Sequence, residues 1–441
     1  MASRWNPRVT RPSGTGGGPP PQIQDHFAPK IIVGNVPNGD PAVAQTFPFR
    51  YIPDTGNGAG VAQALAEASA PGQQGDVYLR PGIYDFGLPG SPALPLAVPI
   101  GTSLRGPGPG VPALLGGNPS AGALLRLSPA QRELLAVGST AAVRQLGIEI
   151  PNAAPGAAGS FMVNAGISGA PAFIDQVPVF VTADDPSNES LTAIFRGDFI
   201  TFREVIIVAQ GPYRTGSLVG IDAINPQCGA VQIQGLDTGI RSDGGSFENL
   251  TLIDLDRGMV FSGGGSGPVR ISDLLVSADT SGITFLAPFN GPALIVNAQV
   301  FGSSGGVAVG IDYQGAFSGP LSISNTRVGN WLTGVRLLQA TGSQLSNVAV
   351  DASDIGVDVD NSSDVTLAGC VIGGFGSPGS RGVFVRPGSE NATITGSRIR
   401  NWDVGADLQS DYATLVSNNM RFNTIAHLTS TATNEVAHNQ V

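Results

Sequence analysis

Two aspartates on one short segment have the residue type and spacing that acid–base chemistry requires. Asp358 and Asp360 lie in the sequence Gly-Val-Asp-Val-Asp at 356–360, where apolar and polar residues alternate with the period of a β-strand. On a strand they share one face, about 6.5–7 Å apart along the backbone. Two carboxylates about 5–10 Å apart serve as acid and base in glycoside hydrolysis. The alternative, which we favour, is a solvated strand on which Asp312, Arg336 and Asp358 form a charge ladder.

Three aromatic residues are candidates for stacking against a sugar ring. Trp331 and Trp402 each follow an asparagine in a turn, and Phe384 falls two residues after Gly382, on the outward face of its strand. If they are exposed, the three rings form a carbohydrate-binding patch. The alternative, again favoured, is that these aromatic side chains are tucked over the core.

Metal and cofactor chemistry has no support in the sequence. His26, His427 and His438 are scattered, without the spacing of metal ligands. The glycine-rich runs open strands, and none forms a phosphate-binding loop between a strand and a helix. We therefore expect neither a metal ion nor a cofactor.

The candidate residues lie on a repeat that fills the chain from Gly239 to Val441. A glycine followed by apolar, any and apolar residues recurs every twenty-odd residues, and a small polar residue or glycine recurs in phase with it. The first marker opens at Gly239, Gly258, Gly282, Gly310, Gly334, Gly356, Gly382 and Gly405, and only the first copy breaks it, with Ser242 in the last position. The second marker falls at Asn249, Asp273, Asn297, Asn325, Asn347, Gly369, Gly396, Asn418 and Asn439. Two independent markers that keep one drifting period predict a solenoid.

The repeat is built from strands. Apolar and polar residues alternate within each coil, and no coil holds ten residues of helical periodicity. A length of about 24 residues with two or three short strands fits one rung of a parallel β-helix. The asparagine column fits a turn with a left-handed backbone, where stacked amides hydrogen-bond between rungs. The predicted fold is all-β, a single-stranded parallel β-helix of roughly a dozen rungs.

Composition and charge agree with this class and exclude others. The 441 residues include 62 Gly and 34 Pro, only 13% are charged, and the net charge is −10. Such a chain is a turn-rich β protein, and its acidity argues against a nucleic-acid partner. The sequence has neither a signal peptide nor an apolar run of about 18 residues, so we expect synthesis in the cytoplasm and no membrane partner. Cys228 and Cys370 are predicted about 29 Å apart, too far for a disulfide.

Residues 1–30 are predicted to form a flexible, basic, Pro/Gly-rich arm. Arg4, Trp5, Arg8 and Arg11 precede runs of glycine and proline, and nothing there nucleates a core. One interpretation is a docking segment that orders on an assembly partner. The other is a disordered terminus or an expression leader.

The start of the solenoid resembles a known family. An Ala-rich predicted helix at Val61–Ala70 is followed by the sequence GDVYLRPGIY at 75–84 and by IGTSLRG at 100–106. This is similar to the pectin-lyase-like superfamily of right-handed parallel β-helices, in which the helix caps the open end of the solenoid. The resemblance covers roughly residues 50–441 and implies a right-handed coil. We expect regular coils over 239–441 and irregular, loop-bearing coils over 77–238, within one β-helix domain at 31–441.

The resemblance does not extend to the active-site motifs of the enzymes in that superfamily. Its hydrolases use aspartates as acid and base, and its lyases use acidic residues for calcium and an arginine as base. The sequence contains no Asn-Thr-Asp, Gly-His-Gly or Arg-Ile-Lys motif. Catalysis of these familiar kinds is therefore not expected.

Two classes of function remain. The first, which we favour, is a structural virion protein such as a bacteriophage spike, fibre or capsid decoration subunit. It would dock through the arm at a particle surface, bind surface glycans and form a homo-oligomer, for which the resemblance to phage β-helices implies a trimer. It rests on the arm, the lack of a signal peptide, an uncapped C-terminal coil and the missing motifs. The alternative is a polysaccharide lyase or glycoside hydrolase that uses Asp358 and Asp360.

Overall fold

The computed structural model of the protein describes residues 31–34, 50–70, 75–110, 122–126, 133–150, 160–165, 170–181, 191–209, 218–262, 267–289, 291–303, 308–315, 319–430 and 433–441. The predicted arm, with Arg4, Trp5, Arg8 and Arg11, lies outside these residues, and so does the boundary at residue 30. Both stay predictions.

The described residues contain one α-helix, α1 at Ala59–Ala68, and 37 strands. In the first half of the chain the strands are β1 Ile31–Gly34, β2 Arg50–Pro53, β3 Asp76–Leu79, β4 Gly82–Asp85, β5 Leu96–Val98, β6 Ser103–Arg105, β7 Ala123–Arg126, β8 Leu135–Val137, β9 Ala142–Arg144, β10 Gly147–Ile150, β11 Ser160–Ala165, β12 Ala172–Asp175, β13 Pro178–Val181, β14 Leu191–Asp198, β15 Ile200–Arg203, β16 Ile206–Ala209, β17 Val219–Ile224 and β18 Gln227–Gln234.

The second half continues with β19 Thr238–Ser242, β20 Gly245–Phe261, β21 Val269–Phe289, β22 Ala293–Val296, β23 Gln299–Gly302, β24 Val309–Gly315, β25 Leu321–Ser324, β26 Arg327–Leu338, β27 Gln344–Ser346, β28 Ala349–Asp360, β29 Thr366–Ala368, β30 Val371–Gly373, β31 Arg381–Val385, β32 Thr393–Thr395, β33 Arg398–Arg400, β34 Val404–Leu408, β35 Thr414–Val416, β36 Ile425–Thr429 and β37 Glu435–Ala437.

Strands of successive coils pair in parallel and build three faces of a solenoid. Face 1 contains β5, β8, β11, β14, β17, β19, β24, β31, β34, β36 and the C-terminal parts of β20, β21, β26 and β28. Face 2 contains β3, β6, β9, β12, β15, β22, β25, β27, β29, β32, β35, β37 and the N-terminal parts of β18, β20 and β21. Face 3 contains β4, β7, β10, β13, β16, β23, β30, β33 and the remaining parts of the long strands. The expected all-β, right-handed parallel β-helix of about 12 turns is confirmed.

The core runs along the solenoid axis because equivalent residues of successive rungs stack on one another. In face 1 the rings of Phe261 and Phe285 stack with centroids 4.8 Å apart, and Tyr313 follows at 5.4 Å from Phe285. Further along the same column Leu337, Val359, Val385 and Leu408 are buried. The sequence predicted these inward positions from their place three residues after the glycine marker, and they are confirmed.

The glycine marker has a steric cause. A Cβ at Gly356 would lie 2.4 Å from the carbonyl oxygen of Gly382 on the next rung and 2.5 Å from Cγ2 of Ile372. Gly258 and Gly382 would meet the glycine carbonyls of their next rungs at the same distance, 2.4 Å. Any side chain at this position would therefore push successive rungs apart, which explains why glycine recurs.

The second marker occupies the turn between faces 2 and 3. Asn249, Asp273, Asn297, Asn325 and Asn347 all have left-handed backbones with φ between 49° and 56°. Gly369 and Gly396 follow with φ of 62° and 58°. The Asn347 side-chain amide donates to Asn325 Oδ1 at 2.7 Å, which is the predicted bond between rungs.

In the last two coils the left-handed residue comes one position before the predicted Asn418 and Asn439. The left-handed residues are Ser417 and His438, with φ of 59° and 55°. Asn418 is instead buried, where its Oδ1 accepts the Ser397 amide at 2.8 Å and its Nδ2 donates to the Ile394 carbonyl at 2.9 Å. The Asn418 side-chain amide therefore links two neighbouring rungs from inside the turn. Sequence spacing alone does not distinguish this buried asparagine from the exposed asparagines of the left-handed column.

Helix α1 covers the N-terminal end of the core, as predicted. Val61, Ala64, Leu65 and Ala68 form its buried face, which packs against β1, β2, β3 and β5. The buried Asp54 carboxylate accepts the amides of Gly56, Gly58, Gly60 and Val61 and so satisfies the first turn. Over the described residues no helix is long and apolar enough to span a membrane. Cys228 and Cys370 are both free and buried.

Candidate functional site

The structure places Asp358 and Asp360 on the outward side of β28, in face 1, but in different environments. Asp358 is 4% exposed and accepts hydrogen bonds from Nε and Nη2 of Arg386 at 2.7 and 3.0 Å. The Asp360 side chain is 38% exposed and lies 4.0 Å from the same guanidinium. The two are therefore not a matched pair of solvated carboxylates. Their catalytic role stays a prediction.

The charge ladder that we favoured for this strand is present, but the strand is not solvated as expected, since Asp312 and Asp358 are buried. Arg336 donates to the two Asp312 oxygens at 2.8 and 2.5 Å, and the strand register continues from Asp312 through Arg336 to Asp358. The hydrogen bond to Asp312 raises the pKa of Arg336, which burial partly offsets. Arg381 extends the series with a 2.8 Å bond to Asp407. These carboxylates are neutralised by arginines of neighbouring strands, which suits a structural role.

The three aromatic candidates do not form an exposed patch. Trp331 and Trp402 are 2% and 1% exposed, and their indole N–H groups donate to the carbonyls of Val300 and Ile372 at 3.1 and 3.2 Å. Phe384 is also buried, because the guanidiniums of Arg381 and Arg386 each lie 4.5 Å from its ring centroid. The expectation of exposed stacking rings is thus corrected, since glycines on neighbouring coils, such as Gly310 in β24 and Gly382 in β31, leave room for the indoles inside.

A groove on face 1 brings together carboxylates that sequence analysis did not single out. It has a volume of about 550 Å³ and crosses the four rungs of β11, β14, β17 and β19. We call it the face 1 groove; its walls include Asn164, Arg196, Asp198, Asp222, Ile224 and Asp243.

Strand register sets the arrangement of the acidic side chains in the groove. Arg196 pairs with Asp222, and Asp222 pairs with Arg241. In the neighbouring column Asp198 pairs with Ile224, and Asp243 follows Ser242, the partner of Ala223. Asp198 and Asp243 are therefore two rungs apart, about 9–10 Å between their Cα atoms. Ile224, which is 41% exposed, lies between them.

The three carboxylates differ in what holds them. Asp222 receives two hydrogen bonds from Arg241, at 3.0 and 2.7 Å, and this contact raises the pKa of Arg241. Asp243 accepts a hydrogen bond from the Ser262 hydroxyl. Asp198 forms no ion pair with a described residue. The groove therefore combines a fixed carboxylate with two that are accessible to a ligand.

The backbone at the end of β14 is shaped to present Asp198. Gly197 has φ of 147°, and a Cβ there would lie 1.8 Å from the carbonyl oxygen of Ala165. Phe199 has φ of 52° although it is a bulky residue, and it is 43% exposed. Asn225, the equivalent of Phe199 on the next rung, has the same left-handed backbone with φ of 48°. Asp198 thus lies between a glycine that has no room for a side chain and a left-handed turn residue, with an exposed aromatic ring beside it.

The other surface depressions are lined by fewer side chains that could take part in a reaction. One of about 540 Å³ follows the turn column and is lined by amides such as Asn297, Asn325 and Asn347. Another of about 660 Å³ includes Glu204 and Glu248, but Glu204 already accepts the Gln176 amide at 2.7 Å. Among the described residues, no three His, Cys, Asp or Glu side chains are grouped as metal ligands.

Sequence reasoning missed Asp198 and Asp222 because the repeat markers are hard to phase over residues 175–235. Asp243 carried a signal, since it stands four residues after the marker Gly239 and so faces outward. If the irregular coils could be aligned rung by rung from the sequence, all three aspartates would fall in neighbouring columns.

Comparisons with known proteins agree with the observed fold. The family model described as right handed beta helix region matches residues 307–441. A mutant tailspike protein of E. coli bacteriophage HK620, solved with a hexasaccharide, is similar at 10% identity and a TM-score of 0.58, over 90% of this chain and 77% of that one. The A-module of the mannuronan C-5 epimerase AlgE6 of Azotobacter vinelandii has 15% identity and a TM-score of 0.35, over 87% and 96% of the two chains.

No curated protein matches the sequence. At 10% identity the likeness to the tailspike structure shows the fold alone. The right-handed parallel β-helix fold that the opening of the solenoid suggested is confirmed.

Proposed function

We propose that this right-handed parallel β-helix is a virion-associated protein that binds a bacterial surface polysaccharide in the face 1 groove and hydrolyses it there. The observation that carries the proposal is the groove itself, where Asp198, Asp222 and Asp243 surround an exposed apolar residue on three successive rungs. A tailspike protein with the same fold binds a hexasaccharide, which makes a sugar chain the natural ligand to test.

An extended sugar chain suits the shape and the chemistry of the groove. The groove is lined by residues of four successive rungs, so a polymer that follows it lies across several rungs. Carboxylates and the Asn164 amide accept hydrogen bonds from sugar hydroxyls, and Ile224 and Phe199 offer apolar surface to the C–H face of a sugar ring.

Hydrolysis is supported by the separation of Asp198 and Asp243. Inverting glycosidases hold their two carboxyl groups about 6.5–9.5 Å apart, which leaves room for a water molecule between base and sugar. Side chains that start about 9–10 Å apart and lean into one groove reach that range. One of the two would protonate the oxygen of the departing sugar while the other takes a proton from the water that attacks the anomeric carbon. Asp222, held by Arg241, orients the sugar as a positioning residue.

Asparagine substitution of the two accessible aspartates tests this site. We expect Asp198→Asn and Asp243→Asn each to lower the cleavage rate by about 10²–10⁴-fold, because proton transfer is lost while the shape of the side chain is kept. Melting temperature and sugar binding should change little. Cleavage is measured on a panel of bacterial polysaccharides by reducing-end assay and size-exclusion chromatography.

The matched control is Asp360→Asn, a half-exposed carboxylate on the same face but outside the groove. Full activity in this variant and loss in the other two supports the groove. If Asp360→Asn alone silences cleavage, the reaction belongs to the β28 strand instead. If no polymer in the panel binds, the groove is not a sugar site.

The virion role is tested through residues 1–30. The basic and aromatic side chains of Arg4, Trp5, Arg8 and Arg11 suit docking to an acidic partner protein. We expect deletion of residues 1–30 to leave the melting temperature unchanged and to abolish incorporation of the protein into particles. Incorporation is measured by immunoblot of purified virions, and ultracentrifugation tests the proposed trimer. Normal incorporation of the deleted protein would refute the docking role.

A further inference from the structure

Three arginines form a cluster on face 3, at the last coils of the chain and far from the face 1 groove. We call Arg398, Arg400 and Arg421 the basic patch. Arg398 and Arg400 are the two outward residues of β33, and Arg421 lies on the following coil. A local excess of three positive charges stands out on a protein whose net charge is −10.

The strand register places two of these arginines directly beside each other. Arg398 pairs with Asn419, and the Ile399 amide bonds to the Asn419 carbonyl at 2.8 Å. The Asn401 amide bonds to the Phe422 carbonyl at 3.2 Å. Arg400 is therefore level with Arg421 on the adjacent rung, about 4.8 Å away along the axis. Like charges directly opposite each other on a sheet destabilise it.

No acidic side chain of the described residues neutralises the patch. None of the three arginines forms an ion pair within that part of the chain, although arginines elsewhere on faces 1 and 3 do. In the same column Gly373 precedes Arg400 and has no side chain, and Asp351 before it pairs with Arg327 at 3.4 Å. The Asp403 carboxylate accepts the Gly379 amide at 2.8 Å. Nε of Arg400 is buried without a hydrogen-bond acceptor.

Two exposed aromatic rings flank the patch. The amides of Gly374 and Gly376 bond to the carbonyls of Arg400 and Asn401, which places Phe375 one rung before Asn401. Phe422 lies one rung after it, so the two rings are about 10 Å apart along the axis. Phe375 and Phe422 are 68% and 76% exposed. Phe422 has φ of 68°, a strained conformation for a bulky residue.

We propose that the basic patch is a second saccharide site, which binds an anionic oxygen group, a carboxylate or a phosphate ester, carried on a sugar. An oxyanion between Arg400 and Arg421 would relieve their repulsion and accept charge-assisted hydrogen bonds from their guanidiniums. Phe375 and Phe422 would pack against the faces of the sugar rings on either side. This site goes beyond the groove on face 1, whose walls are acidic and suited to neutral sugars.

A sugar fits this arrangement better than a nucleic acid does. Nucleic-acid sites neutralise a continuous row of phosphates with many basic residues. Here three arginines are confined to two rungs, and the rest of the acidic chain repels a dense polyanion. A polymer with isolated anionic groups meets the patch with less repulsion.

Binding is measured with the full chain by calorimetry at low salt. The probes are a phosphate-substituted mannan oligosaccharide, a galacturonate oligosaccharide, and the unsubstituted mannan and the methyl ester as their neutral counterparts. We expect one or both anionic probes to bind more tightly than their neutral counterparts, which lack the group that the basic patch recognises and can bind only elsewhere, as in the face 1 groove. The double variant Arg400→Ala/Arg421→Ala should weaken binding by roughly 10- to 100-fold, because charge-assisted hydrogen bonds are lost.

Two further variants distinguish specific recognition by the basic patch from a general effect of positive charge and from an effect on folding. Arg270→Ala removes an exposed arginine on face 2 and should leave affinity unchanged. Phe422→Gly removes the ring but relieves the strained backbone, so it should weaken binding without lowering the melting temperature. Asp198→Asn should not affect this site, and the patch variants should retain any cleavage in the groove. The failure of one site is thus distinguishable from failure of the other.

The proposal would be overturned by equal binding of the neutral and anionic probes, by equal loss of affinity in Arg270→Ala and in the patch variant, or by tighter binding of single-stranded DNA than of either anionic sugar. Absence of binding by all probes would also overturn it.

Discussion

Replacement of Trp402 by alanine is expected to lower the free energy of unfolding by about 3–5 kcal/mol. The indole is 1% exposed, and the ideal Cβ positions of Gly356, Gly374 and Gly382 all fall within 3.1 Å of its ring atoms. Three coils are thus built around one side chain, and its removal opens a cavity that rigid strands cannot close. It also leaves the Ile372 carbonyl without the indole hydrogen bond.

The measurement is urea denaturation of the full chain, followed by far-ultraviolet circular dichroism. The matched control is Phe375→Ala, which removes a large aromatic residue from the same neighbourhood but from an exposed position. It should shift the midpoint little, as surface substitutions do. Trp402→Phe should fall between the two, because it refills part of the volume but not the hydrogen bond. Equal midpoints for Trp402→Ala and Phe375→Ala would contradict the burial of the indole.

Substitution of Asp358 by asparagine is expected to cost about 2–3 kcal/mol of stability, whatever its effect on any activity. The carboxylate is buried, and it accepts two hydrogen bonds from Arg386. An asparagine cannot accept both, so the Arg386 guanidinium is left with an unsatisfied donor beside Phe384. The cost is below that of a fully buried pair because the Arg386 side chain is 35% exposed to water.

Asp360→Asn is the control for this prediction, since its carboxylate is solvated and lies 4.0 Å from the guanidinium. We expect it to change stability by about 0–0.5 kcal/mol. The difference between the two variants should persist in high salt, because ions screen an exposed pair more than a buried one. A catalytic Asp358 would show the opposite pattern, with lost activity and an unchanged melting temperature.

The two proposed sugar sites and the charge ladder all depend on the difference between inward and outward residues of the solenoid. Inward residues must match the rungs on either side, as the stacked Phe261, Phe285 and Tyr313 do. Outward residues have no such constraint, so each column can hold a neutralised ladder, an acidic groove or a basic patch. Stability and recognition are therefore separable along the solenoid, which is why we expect groove and patch variants to fold.

The sequence by itself determined the repeat, the strand period and the inward positions of the regular coils. Glycine recurs where a Cβ would collide with the next rung, and asparagine recurs where the backbone is left-handed, so both leave a direct trace in the residue pattern. The alternating charges of Asp312, Arg336 and Asp358 could be predicted from the sequence for the same reason. Each of these features depends on a residue and on its equivalent one rung away.

Only the tertiary structure decided which outward residues meet and which aromatic rings are covered. Asp198, Asp222 and Asp243 come together because irregular coils bring them into register, and the unequal lengths of those coils hide this in the sequence. Trp331 and Trp402 follow asparagines in turns, as exposed rings would, yet glycines on neighbouring coils open space for them inside. Whether a side chain is buried depends on several coils together, so it cannot be read from the spacing of residues within one coil.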